Sequence, residues 1–61
     1  MVRVGDVVKI FVEINNQTYK FEGKVLSVNE FFVTIDDIKD GIKDIAVRTI
    51  VQIDYLDERH K

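Results

Sequence analysis

Apolar and polar side chains alternate near the start of this chain, and the alternation limits the possible folds more than any other feature of the sequence. Successive side chains of a β-strand point to opposite faces of its sheet, so a period of two indicates a half-buried strand. In the segment 7–14, one face carries Val8, Ile10, Val12 and Ile14, and the other carries Val7, Lys9, Phe11 and Glu13. We therefore predict that this segment is the first strand of an all-β domain.

Turn signals divide the next residues into further short strands. Asn15-Asn16-Gln17 predicts a turn, because asparagine tolerates a positive φ angle and its side chain bonds nearby backbone groups. The second strand is predicted to carry Tyr19, Phe21, Gly23 and Val25 on one face. Gly23 indicates a bulge or a sharp bend within that strand, with a slip of the apolar pattern after it. The third strand is predicted to run from Phe31 to Ile35.

The segment 35–56 supports two interpretations. Ile35, Ile38, Ile42, Ile45 and Ala46 recur at helical spacing, which leaves open a single helix. Gly41 and the β-branched residues that follow it instead favour a loop at 37–42, a strand at 43–48 and a last strand at 51–56. With these strands, residues 5–56 of a single domain, 1–61, are predicted to form a small, strongly bent, five-stranded barrel, followed by a charged tail at 57–61.

The short chain needs a stabilising device beyond its own core. Its 61 residues contain no cysteine and one histidine, His60, so disulfides, thiolate metal sites and imidazole clusters are excluded. A domain of this size buries only about 60% of the surface that its unfolded chain exposes. Oligomerisation is the stabilising device that remains, and we expect it here.

Composition and charge predict an intracellular, cytoplasmic protein that is not an enzyme. No apolar run approaches the roughly 18 residues of a membrane span, and charges interrupt the N-terminal MVRVGDVVKIF where a signal peptide would be apolar. The net charge is −2 and the pI is about 5.2, so no positive field of the whole molecule attracts nucleic acid. We find no catalytic residues, metal-ligand spacing, phosphate loop or cofactor fingerprint, and we expect no cofactor.

Two segments of the chain resemble the motifs of a known family. GDVVKIFVEINNQTYKFEGKVLSVNEFFVTIDD (5–37) is similar to the first motif of Sm-like proteins, and DIAVRTIVQI (44–53) resembles the second. The family includes the archaeal Sm proteins and the bacterial RNA chaperone Hfq. The resemblance implies an SH3-like barrel of Sm type that forms a closed homo-oligomeric ring and binds single-stranded RNA. We expect the family's N-terminal helix to be missing, because Gly5 comes almost directly before the first strand. Two further differences are Arg48-Thr49 in place of Arg-Gly and Asn29 in place of the usual Asp.

The resemblance also implies the residues of the RNA site. The family binds bases at the loop before the third strand, so the candidate RNA-binding residues are Asn29, Phe31, Phe32 and Arg48. Counted without gaps from Gly23, Phe31 matches the stacking aromatic of the bacterial members. Counted back from the apolar residues of the third strand, Phe32 matches the base-facing position instead. Strand parity groups Phe31 with Val33 and Ile35, so we expect Phe31 in the core and Phe32 on the outside.

Each candidate residue also has an interpretation that needs no RNA. Phe32 could pack against a neighbouring subunit, and Asn29 could be only a turn former. Arg48, expected on the polar face of its strand, could be solvated or salt-bridged. The alternative function is therefore an interaction or oligomerisation module that binds no nucleic acid, and the acidic pI favours it.

Overall fold

The computed structural model describes residues 2–56, which form five antiparallel strands. The strands are β1 (Val7–Ile14), β2 (Gln17–Val28), β3 (Phe32–Asp37), β4 (Gly41–Ala46) and β5 (Ile50–Tyr55), with a 3₁₀ helix at Val47–Thr49. Their order in the sheet is β4-β3-β2-β1-β5. The predicted all-β class is therefore confirmed. The sheet is not closed, because β4 and β5 are its two edges.

The strands of the second half differ in their limits from the prediction. The predicted loop at 37–42 is reduced to residues 38–40, because β3 continues to Asp37 and β4 already begins at Gly41. The predicted strand at 43–48 was wrong at its end, since a 3₁₀ helix follows Ala46. The alternative helix over 35–56 does not form. Within residues 2–56, no helix is long and apolar enough to cross a membrane. The predicted tail at 57–61 lies outside the described residues.

Asn15 and Asn16 form the predicted turn between β1 and β2. Both residues have positive φ angles, 51° and 66°. Ile14 pairs with Gln17, so the hairpin loop contains only the two asparagines, and Gln17 already belongs to β2. Positive φ angles at both central positions match the twist of the flanking strands, and asparagine is one of the few residues that adopts them readily.

β2 changes its partner strand near its middle. Residues Gln17–Lys24 pair with β1, and residues Gly23–Val28 pair with β3, so the two pairings overlap only around Gly23. The predicted irregularity after Gly23 is confirmed, because the register of β2 against β3 shifts between Val25 and Ser27. A single long strand thereby joins both parts of the sheet.

Gly23 is required by the close approach of β3. A Cβ atom at this position would lie 1.9 Å from the carbonyl oxygen of Asp36 and 2.7 Å from its carbonyl carbon. Both atoms belong to the backbone and cannot rotate away. The packing of β2 against β3 therefore requires glycine at position 23.

The core is a small cluster of aliphatic side chains. Its buried members are Val2, Val8, Ile10, Val12, Val25, Val33, Ile35 and Ile45. Val8, Ile10 and Val12 confirm the inward face predicted for β1, whereas Ile14 at the end of the strand is 44% exposed. Phe21 packs against this cluster only from a partly buried position. Among residues 2–56, the buried cluster thus contains no aromatic ring, so Phe31 and Phe32 must lie outside it.

Candidate functional site

Asn29 fixes the loop between β2 and β3. Its side-chain Oδ1 accepts hydrogen bonds from the backbone N–H groups of Phe31 at 2.7 Å and Phe32 at 2.9 Å. The Asn29 N–H donates to the carbonyl oxygen of Phe32 at 3.0 Å. An asparagine side chain that bonds the backbone two residues later stabilises a turn. Asn29 is therefore the turn former of this loop, one of the two roles expected for it.

Phe31 lies on the surface, so its predicted position in the core was wrong. Its side chain is 68% exposed. Strand parity does not apply to Phe31, because β3 begins only at Phe32 and Phe31 belongs to the turn held by Asn29. Val33 and Ile35, with which parity had grouped it, are buried as predicted.

Phe32 is also exposed, as predicted. It is the first residue of β3, pairs with Ala46 of β4 and is 46% exposed. Both rings of the Phe31-Phe32 pair are thus open to solvent. Adjacent exposed apolar side chains of this size are typical of a surface that binds a ligand or a partner.

The 3₁₀ helix brings Arg48 to the same loop. The backbone N–H of Val47 donates to the carbonyl oxygen of Phe31 at 2.9 Å, which joins the two segments. Thr49 Oγ1 donates to the carbonyl oxygen of Ala46 at 2.7 Å and stabilises the turn. The prediction that Arg48 lies on a strand was wrong, because β4 ends at Ala46. Arg48 instead lies in the turn that contacts the Phe31 loop.

These segments surround an open pocket of about 410 Å³, here called the FF pocket. It is lined by Glu30, Phe31, Phe32, Ala46, Val47 and Arg48. Its volume falls in the range of roughly 300–1,000 Å³ that is usual for small-ligand sites. Of the predicted site residues, Phe31, Phe32 and Arg48 line the pocket, whereas Asn29 does not and acts on its shape through the loop.

Glu30 and Val47 also line the pocket, although neither is among the residues predicted from the sequence. Glu30 stands between the turn former Asn29 and Phe31, and recognition of the turn would have indicated that neighbouring side chains share one surface. Val47 gave no such signal, because its position depends on where β4 ends.

The FF pocket combines three kinds of chemical group. Two phenyl rings offer flat apolar faces, the Arg48 guanidinium offers planar N–H donors, and the Glu30 carboxylate offers acceptors. All four of these side chains are exposed and can reach a ligand. Among residues 2–56, no group of three or more potential metal ligands occurs. The arrangement is suited to a flat ligand with polar edges.

A second groove of about 230 Å³ adjoins the FF pocket. It is lined by Val12, Ile14, Phe21, Phe32, Lys43, Asp44, Ile45, Ala46 and Thr49. Phe32 and Ala46 line both this groove and the FF pocket. The apolar surface of the site therefore continues along the edge strand β4.

Comparisons with known proteins leave the family of this chain undecided. No family model matches the sequence, and no curated protein or solved structure shows significant similarity to the chain. The resemblance to Sm-like proteins therefore stays a prediction from the two motif-like segments.

Proposed function

We propose that the chain is an Sm-type small barrel that forms a closed homo-oligomeric ring and binds single-stranded RNA. The observation that carries the proposal is the exposure of Phe31 and Phe32, 68% and 46%, in a pocket that also contains Arg48. Unpaired bases stack on aromatic side chains, and each stacked base contributes about 1–3 kcal/mol. Arginine binds phosphate or stacks on a base. The pocket thus supplies the two kinds of contact on which recognition of single strands depends.

The strand order supports the barrel part of the proposal. The antiparallel order β4-β3-β2-β1-β5 places the first and second halves of β2 against different partners. Such a strand must bend if the sheet is to curl around the aliphatic core, and Gly23 lies where the partners change. Curling would bring β4 and β5 towards each other without closing the sheet.

The two edges of the sheet support the assembly part. Ile42 on β4 is 70% exposed, and Val51 on β5 is 61% exposed. Exposed edge strands pair readily with strands of other chains. If β4 of one copy pairs with β5 of the next, the contact joins unlike surfaces, and such contacts form a ring when the rotation between copies closes. The groove beside β4 would receive apolar side chains of the neighbouring β5.

Fluorescence anisotropy with labelled oligouridine and oligoadenine tests the role of the rings. Phe31→Ala and Phe32→Ala should each weaken binding by about 5- to 150-fold, the equivalent of one lost stacking contact. Ile38→Ala is the matched control, because Ile38 is 70% exposed but lies outside the FF pocket. This control should bind like the wild type.

Salt dependence tests the role of Arg48. Arg48→Ala should weaken binding and reduce the slope of affinity against salt, since each phosphate contact contributes to that slope. Arg3→Ala removes the same charge from an exposed residue outside the pocket and should retain the wild-type slope. Equal slopes for the Arg48 variant and the wild type would contradict a phosphate contact.

An interaction module without RNA binding is the second candidate, and the net charge of −2 favours it. In that case Phe31 and Phe32 pack against a partner protein, and the affinity for that protein does not fall as the salt concentration rises. Light scattering separates the candidates when it is combined with anisotropy. If Phe32→Ala dissociates the oligomer while the wild type binds no RNA at low salt, the second candidate replaces the first. A monomer of 7.1 kDa at micromolar concentration would contradict the ring.

A further inference from the structure

We propose that the FF pocket selects guanine, and that Glu30 determines this selection; the inference rests on the RNA binding proposed above. Among the described residues that line the pocket, Glu30 contributes the only carboxylate, beside Phe31, Phe32 and Arg48. A carboxylate repels the phosphate backbone of any RNA. In a pocket that only stacked bases and held phosphate, this group would weaken binding, so its position suggests a contact with a base.

The polar groups of the pocket are complementary to the two polar edges of guanine. A base that stacks on a phenyl ring leaves its edges free for hydrogen bonds. Guanine presents the acceptors O6 and N7 on one edge, and arginine binds them with two parallel N–H donors. Its Watson–Crick edge presents the donors N1–H and N2–H₂, which match the two oxygens of a carboxylate. Arg48 and Glu30 can therefore bind two neighbouring edges of one stacked guanine. On strands without guanine, such as oligouridine and oligoadenine, the Arg48 guanidinium contacts phosphate instead.

Other bases satisfy the same groups less well. Uracil has a single N–H donor between two carbonyl oxygens, so at least one of its acceptors faces the Glu30 carboxylate. Cytosine and adenine each offer one amino group and leave part of the carboxylate unpaired. Unpaired polar groups and opposed acceptors are the usual means by which a site rejects the wrong ligand. The expected order is guanine first and uracil last.

The backbone around Glu30 is held in place, as a selective site requires. The N–H groups of Phe31 and Phe32 both bond to Asn29 Oδ1, at 2.7 and 2.9 Å, and the Phe31 carbonyl accepts the Val47 N–H at 2.9 Å. Glu30 lies between the two anchored residues Asn29 and Phe31. The backbone from which the Glu30 side chain extends is therefore fixed relative to the backbone of Phe31 and Phe32.

The test uses two labelled RNA octamers. One contains uridine only, and the other contains a single central guanosine among uridines. A strand with one guanosine does not fold into a quadruplex. By anisotropy at fixed salt, the wild type should bind the guanosine octamer about tenfold more tightly, within the discrimination of a bidentate base contact. Glu30→Gln keeps the size of the side chain but replaces one acceptor by a donor. This variant should lose most of the preference and bind the uridine octamer at least as well as the wild type does.

Glu13→Gln is the matched control, since Glu13 is exposed on β1 and does not line the pocket. It should keep the full preference. Equal binding of the two octamers by the wild type, or an unchanged preference in Glu30→Gln, would overturn the inference but leave RNA binding intact. Failure of the wild type to bind either octamer at low salt would overturn the proposed function itself.

Discussion

The Asp37 carboxylate accepts a hydrogen bond of 2.9 Å from the backbone N–H of Glu22, which ties the end of β3 to β2. The Glu22 carbonyl oxygen accepts the N–H of Ile38, also at 2.9 Å. The second carboxylate oxygen of Asp37 accepts the N–H groups of Lys39 and Asp40, at 3.1 and 3.0 Å. One buried side chain thus holds the turn between β3 and β4 against β2.

Asp37→Ala should lower the free energy of unfolding by about 1–3 kcal/mol, because backbone N–H groups lose their acceptor in a partly buried place. Asp36→Ala is the control, since Asp36 is the exposed neighbour on the same strand. Urea denaturation of both variants measures the difference in unfolding free energy. Both variants are measured at the same protein concentration, because assembly makes stability depend on concentration. Similar midpoints for the two variants would show that the carboxylate does not hold the turn.

The same carboxylate should make the fold sensitive to acid. The hydrogen bond from Glu22 lowers the pKa of Asp37 below its ordinary value of 3.8; burial opposes this effect, and the bonds from Asp40 and Lys39 and the charge of Lys43 add to it. A folded-state pKa below the unfolded one gives stability that is present above the unfolded pKa. This stability is lost as the pH falls through the folded pKa.

The test is the difference in unfolding free energy between the wild type and Asp37→Asn, measured in urea across a pH series. Subtraction removes the contribution of the other carboxylates. The difference should stay constant from about pH 7 to about pH 5 and shrink below about pH 5, as the unfolded carboxyl takes up its proton. A difference that does not change down to about pH 3 would contradict the lowered pKa.

Gly23→Ala should destabilise the fold by a few kcal/mol, and Gly23→Val by more. The added Cβ would lie 1.9 Å from the Asp36 carbonyl oxygen, so β2 and β3 must separate, and overpacking of this kind costs about 1–3 kcal/mol or more. Gly41→Asn serves as the control. Gly41 has a φ of +79°, a Cβ added there would meet no atom within 4 Å, and asparagine tolerates that conformation. Thermal melting should show a large decrease in melting temperature for the Gly23 variants and a small decrease for the control.

Asn29→Ala should weaken RNA binding although Asn29 does not line the FF pocket. The substitution removes the acceptor of the Phe31 and Phe32 N–H groups, so the loop loses its fixed shape and the rings lose their preorganisation. Asn29→Asp keeps an acceptor oxygen at the same position and should bind RNA more tightly than Asn29→Ala, although its added charge repels phosphate. If Ala and Asp variants bind equally in the anisotropy assay, the loop does not depend on this side chain.

Much of the first half of the fold could be predicted, because its signals are local. The alternation in β1 and the two asparagines of the hairpin turn act over a few residues. The same holds for Gly23, where a residue without a side chain indicated an irregular strand. Each of these patterns restricts the backbone through its own sterics and burial.

The site was only partly predictable, because its geometry depends on contacts that the sequence pattern does not reveal. An asparagine whose side chain bonds the next backbone amides looks the same in sequence as a solvated one. The apolar pattern therefore predicts Phe31 on a strand that in fact begins one residue later. The end of β4 likewise depends on the turn at 47–49, which moved Arg48 from a strand into the pocket. The resemblance nevertheless selected three residues that share one pocket.

The position of β5 has a consequence for the order in which the domain forms. β1, β2, β3 and β4 are consecutive hairpin partners, whereas β5 returns to β1 and pairs Tyr55 with Val8. Pairing between distant parts of a chain costs more closure entropy than hairpins do and tends to come late. During synthesis β5 is the last of the five strands to leave the ribosome, so the first four strands can associate before β5 joins them. Until β5 emerges, the nascent domain leaves one side of β1, including Ile10 that later pairs with Ile53, without its partner strand.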